Sequence, residues 1–191
     1  MELKDFKIMG LLHPPRGRGG FAMTLLMTSL ISLFSFMHPV FGAERAGDQG
    51  FGVELGRPTA LTGKIWLDNQ WALEGVLGVA SSELDVHLVL LYHDFGMIRN
   101  SKSASQFFDG LLKNGEVPVY FGVGPRVLFE DKSEVGLRFP VGLGFMPAKS
   151  PWEFFAEFAP ILRLTPSVGF NGDFGLGVRY YFKAIRAAEA E

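Results

Sequence analysis

Between Glu134 and Phe145 the chain reads EVGLRFPVGLGF. Val135, Leu137, Phe139, Val141, Leu143 and Phe145 share one parity, and every one of them is apolar. Glu134, Gly136, Arg138, Pro140, Gly142 and Gly144 share the other. A strand turns successive side chains to opposite faces, whereas a helix gathers them every 3.6 residues. Six apolar residues in strict alternation therefore constrain this stretch to a strand with two chemically different faces.

The alternation recurs along the chain. Leu84, Val86, Leu88, Leu90 and Tyr92 alternate with Asp85, His87, Val89, Leu91 and His93. Comparable runs cover 117–129, 152–164 and 174–182, and weaker ones cover 51–56, 61–67 and 71–79. Turn residues separate them: Arg57-Pro58-Thr59, Asp68-Asn69-Gln70, Ser81-Ser82, 130–133, 147–151, and 166–173 with its Asn171-Gly172. These runs predict eight strands in an all-β protein. Several exceed the usual ~5–6 residues of globular strands. They match the ~9–11 residues with which a tilted strand crosses a bilayer.

The N-terminus reads as an export address. Lys4, Lys7, Arg16 and Arg18 precede an uncharged run from Phe21 to Phe36, and Val40-Phe41-Gly42-Ala43 follows Pro39. Basic region, apolar stretch and small exit residues describe a secretory signal peptide, expected over 1–42. The apolar run is shorter than the ~20 residues of a spanning helix. An exported chain without such a helix can enter a membrane only with strands. The expected domains are thus 1–42 as signal, 43–182 as barrel and 183–191 as a short periplasmic tail.

Composition removes other classes. There is no cysteine, so no disulfide scaffold, thiolate metal site or cysteine nucleophile exists. A net charge of −2 speaks against a nucleic-acid partner.

The two faces then need an orientation. The non-apolar face holds Glu54, Lys64, Glu74, Asp85, His87, Arg126, Glu134, Arg138, Glu153, Glu157, Arg163 and Arg179, with glycines between them. Six carboxylates against five fixed cations are near balance, so they can pair. An eight-strand barrel has an interior just wide enough for side chains, and such a ladder would fill it. The other face, of Phe, Leu, Val, Ile, Trp and Tyr, suits lipid. Trp71, Trp152, Tyr92, Tyr180 and Phe182 fall near strand ends, where aromatic girdles form. A soluble periplasmic barrel carrying a small apolar ligand, with the faces reversed, explains the alternation equally well.

At these residues the chain resembles the small OmpA-like outer-membrane β-barrels. The resemblance rests on the export signal, the eight alternating strands and the last strand ending Val178-Arg179-Tyr180-Tyr181-Phe182. Gly56–Leu67, Pro118–Arg126 and Gly175–Phe182 resemble stretches of a poorly characterised group of bacterial barrel proteins. The resemblance implies an eight-stranded antiparallel up-and-down transmembrane β-barrel, a monomer in the bacterial outer membrane. It also implies two partners, outer-membrane lipid and the assembly machinery that reads Val178, Tyr180 and Phe182. It carries no catalytic residue and no cofactor. Two features depart from it: nine residues follow Phe182, and the longest connection, 95–116, follows the fourth strand, where periplasmic turns should be short. Either an insert lies there or the strand count is off by one. Phe107, Phe108, Leu111 and Leu112 repeat at helical spacing, which fits a short amphipathic helix at the membrane surface or plugging the barrel mouth, with a plain loop as the alternative.

Catalytic signals are thin. His87 and His93 share a face but stand about 20 Å apart along a strand, too far for one metal. A lipid-modifying barrel enzyme would need a serine activated by histidine. Ser81 and Ser82 lie five to six residues from His87, out of direct reach on an extended strand. Glu153 and Glu157 are about 13 Å apart, too wide for a glycosidase pair, and suit Arg138 and Arg163 or Arg179 as ionic partners.

Overall fold

The structure, a computed structural model, describes residues 45–80, 83–129 and 133–182. The segments expected as signal and tail, and the Ser81-Ser82 pair, lie outside the described residues.

The strands are β1 (Gln49–Arg57), β2 (Thr59–Trp66), β3 (Trp71–Ala80), β4 (Glu83–Asp94), β5 (Gly115–Glu116), β6 (Val119–Phe129), β7 (Glu134–Arg138), β8 (Val141–Pro147), β9 (Trp152–Thr165) and β10 (Gly169–Phe182). Each ladder is antiparallel, and β10 pairs with both β9 and β1, so the sheet closes on itself. β7 and β8 together fill one place between β6 and β9. β5 adds two residues beside β8. The result is a closed ring of eight strands in sequence order, which leaves no long edge unpaired.

Pro140 divides the expected strand 134–145. It has no N–H to give a ladder, yet its carbonyl accepts from Gly122 N at 2.9 Å, and Phe139 N reaches Pro160 O at 2.9 Å. Hydrogen bonding thus continues through the break and the parity of the faces survives it. The last strand departs more from the sequence reading. The turn expected over 166–173 contracts, because β10 starts at Gly169 and pairs Asn171 with Ile161 and Gly172 with Pro160. The Asn-Gly pair is a strong turn signal in isolation, but here the long neighbour β9 offers a full ladder. Val117, the first residue of the expected run 117–129, is buried ahead of β6, where Pro118 interrupts the strand.

Gln49 pairs with Phe182, so the described chain enters and leaves at one rim, called here the terminal rim. The long connection lies at that same end, after β4. It folds as α1 (Met97–Asn100), α2 (Lys102–Phe107) and α3 (Asp109–Leu112) before β5. Asp94 Oδ1 accepts from Gly96 N and Met97 N, both at 2.7 Å, and starts α1. Ser101 Oγ accepts from Ala104 N and caps α2. The helical spacing around Phe107 is therefore real, but it is shared between two short helices that meet at Phe108. The connection is an insert on an eight-strand ring, not the sign of a miscounted strand.

Candidate functional site: the charged interior and the aromatic belt

Burial is inverted relative to a water-soluble domain. Glu54, Lys64, Glu74, Asp85, His87, Arg126, Arg138, Glu153, Glu157 and Arg179 are all buried inside the ring. Phe51, Leu55 and Val141 on the opposite parity are 54%, 65% and 52% exposed. An isolated buried charge is very costly, so the ten must find one another.

Nine of them do so in clusters, while Glu54 Oε1 has no hydrogen-bond partner among the described residues. Lys64 Nζ donates to Glu153 Oε1 at 2.8 Å, and Arg179 Nη1 donates to Glu153 Oε2 at 3.1 Å. Tyr181 OH gives that second oxygen another bond, at 2.8 Å. Arg179 continues to Glu74 through Nη2, and its Nε donates to Thr62 Oγ1 at 3.1 Å. Thr62 in turn donates to Glu74 at 3.2 Å. The Arg179 guanidinium also lies 3.8 Å from the Phe155 ring centroid, the geometry of a cation–π contact. One guanidinium thereby ties β10 to β2, β3 and β9.

A second cluster joins Arg138 to Glu157. A third joins Arg126 Nε to both oxygens of Asp85, at 3.1 and 2.9 Å, with His87 Nδ1 3.4 Å from the same carboxylate. Asp173 stands 3.6 Å from Arg126. Glu134 and Arg163 sit half-buried at the far rim and bond each other at 2.7 Å. Arg163 is therefore the partner of Glu134, and Glu153 and Glu157 take Arg179 and Arg138. Glu54 fits because its neighbour is a glycine: a Cβ on Gly175 would overlap the Glu54 carboxylate. Gly142 makes the same room for the Tyr120 ring, and Gly177 for Phe155. Val89, Leu91, Tyr120 and Phe155 form a small cluster of buried apolar side chains.

Thr62, Tyr181 and Asp173 belong to this network, although sequence reading did not select them. Thr62 and Tyr181 share inward parity with Lys64 and Arg179, which was the available signal. Asp173 was hidden by the turn assigned to it. His93 is also buried, its ring tilted against Trp66 at 4.5 Å between centroids and its Nδ1 3.2 Å from Gln70 O. Among the described residues no group of His, Asp or Glu could hold a metal ion.

The outer face carries a belt at the terminal rim. Trp71, Tyr92 and Phe121 meet in sequence at 5.1 and 5.3 Å between ring centroids. Trp152, Tyr180, Phe182 and Phe51 follow at 5.0, 5.0 and 6.2 Å. Phe145 and Phe154 stack at 6.5 Å between the two series. Val178, Tyr180 and Phe182 all fall on the outward parity of β10, and Tyr180 and Phe182 join this belt.

No protein-family model matches this sequence, and no curated protein is similar to it. Among solved structures, the N-terminal β-barrel domain of Pseudomonas aeruginosa OprF is similar, with a TM-score of 0.50 and 13% identity. The likeness covers 72% of this chain and 98% of that domain. The fold shared with that domain is a β-barrel. At that identity the likeness speaks for architecture only, and the charged interior is described by this chain's own residues.

Proposed function

We propose that this protein is an outer-membrane β-barrel whose interior is closed by ion-paired side chains, with a structural or interaction role rather than a catalytic one. The observation that carries the reading is the inverted burial. A ring that buries Lys64, Glu153, Arg179 and Glu74 while exposing Phe51, Leu55, Val141 and Phe174 places apolar surface all round its outside. Contiguous exposed apolar surface on that scale marks a membrane or partner interface. The belt of Trp, Tyr and Phe at one rim matches the amphipathic rings found at headgroup level. The resemblance to outer-membrane barrels, the predicted signal peptide and the aromatic end of β10 agree with insertion by the assembly machinery as a monomer.

The soluble ligand-carrying alternative requires an apolar cavity inside the ring. The interior here is charged and occupied. The enzyme alternative gains little from His87, which is buried against Asp85 with Arg126 bound to the same carboxylate. Such an imidazole does not face a substrate.

Membrane fractionation tests the reading, followed by gel mobility of the detergent-extracted protein with and without boiling. Outer-membrane recovery with a heat-dependent shift is expected. Recovery in the soluble periplasm would overturn the proposal.

A further inference from the structure

An open pocket of about 710 Å³ lies at the terminal rim, where the 95–118 connection meets the ring. That is the size range of small-molecule sites. Arg45 is one of its lining residues. The Arg45 guanidinium lies 4.4 Å from the Phe95 ring centroid and 5.5 Å from that of Trp66. Its Nη2 bonds Glu116 and its Nη1 lies 3.4 Å from Met146 Sδ. Beneath it, Trp66 is buried against His93.

The pocket's walls have two characters. Arg99 and Lys113 of the connection supply cations. Arg45 and Glu116 satisfy each other. Lys113 is held by an exposed i,i+4 pair with Asp109 at 2.7 Å, a contact worth little in water. Arg99 has no ion-pair partner among the described residues. On the ring side the lining includes Trp152 and Tyr181. Trp152 is also a member of the outer belt, in edge contact with Tyr180 at 5.0 Å. One residue thus lines the pocket and belongs to the outward aromatic belt.

We propose that this pocket binds the anionic headgroup of a phospholipid in the leaflet at the terminal rim. The phosphate meets Arg99 and Lys113, and the acyl chains lie along Trp152, Tyr180 and Phe182. Arg favours phosphate through its planar fork of donors, and Trp at headgroup depth supplies the amphipathic border. A free anion would use the cations only. A lipid needs the apolar border as well, and Trp152 connects the two. The proposal rests on the membrane reading above.

The test uses the full mature chain folded into dodecyl maltoside micelles, first checked for heat-dependent gel mobility. Native mass spectrometry then measures retention of dimyristoyl phosphatidylglycerol, dimyristoyl phosphatidylcholine or inorganic phosphate. Preferential retention of one phosphatidylglycerol is expected. Arg99→Gln with Lys113→Gln should weaken it about tenfold, as expected for loss of charge-assisted contacts. Trp152→Ala should weaken it as well, and both variants should keep the mobility shift. Equal retention of the two lipids, or retention indifferent to the double substitution, would overturn the proposal. Inorganic phosphate competing fully, with Trp152→Ala without effect, would overturn it in favour of a free-anion site. A chain with no heat-dependent mobility would bring down the membrane reading itself, and this proposal with it.

Discussion

Lys64 Nζ and Glu153 Oε1 lie 2.8 Å apart across the interior, although 89 positions separate them in the chain. Both side chains are fully enclosed. Glu153 is the hub of the cluster, because Lys64, Arg179 and Tyr181 all donate to it. Among the described residues Lys64 has a single salt-bridge partner. The two are therefore not equivalent in what their removal leaves behind.

Glu153→Leu strands Lys64 and the Tyr181 hydroxyl and takes from Arg179 one of its two carboxylates, and removing one partner of a buried pair costs about 3–5 kcal/mol. Lys64→Met leaves Glu153 with Arg179 and Tyr181, and its cost should be nearer the ~1–3 kcal/mol of one lost buried partner. Urea unfolding of the two variants in phosphatidylcholine vesicles gives the comparison. Equal losses, or a larger one for Lys64→Met, would contradict the hub.

The outward face makes a separate prediction. Val141 is more than half exposed on that face, so Val141→Arg puts a cation where lipid is expected. Near the bilayer midplane this costs about 2–4 kcal/mol. The amount of heat-modifiable protein in the outer-membrane fraction should drop sharply, while Lys149→Arg at an exposed turn should leave it unchanged. Normal assembly of Val141→Arg would mean that the face is not in lipid.

Gly175 tests the fit inside the ring. A Cβ there overlaps the Glu54 carboxylate, so Gly175→Val should destabilise the barrel by about 1–3 kcal/mol, the usual range for overpacking. Gly110 in the connection has open space around it. Gly110→Ala should change stability by less than about 1 kcal/mol, set by backbone preference only. Thermal unfolding in detergent separates the two.

Phe182 closes the belt between Tyr180 and Phe51. Phe182→Ala removes edge-to-face contacts worth about 0.5–1.5 kcal/mol each and alters the aromatic end of β10. Slower appearance of the heat-modifiable species after export is the expected result. An unchanged rate would remove Phe182 from the assembly signal.

The filled interior has a consequence for transport. Reconstituted in a planar bilayer, the protein should show no steady ion conductance. A stable open channel would require that the Lys64–Glu153–Arg179–Glu74 cluster is not the resting arrangement.

Much of the architecture was legible because a strand has a period of two. Parity sorted the charged set from the apolar set residue by residue, and Pro140 did not disturb it. Local signals failed where a neighbour outweighed them. Asn171-Gly172 reads as a turn, but β9 extends far enough to pair with both residues. Val117 follows the parity of β6, but Pro118 stands between it and the strand.

The sequence by itself determined two faces of opposite chemistry on eight strands, since alternation is a local property of the backbone. It could not determine which face turns inward, because reversing the sheet leaves the pattern unchanged. Nor could it pair the charges. Arg179 reaches Glu74, 105 positions away, because the ring closes and a long side chain can cross an interior only a few side chains wide. Those partnerships depend on closure and register, which are properties of the whole sheet.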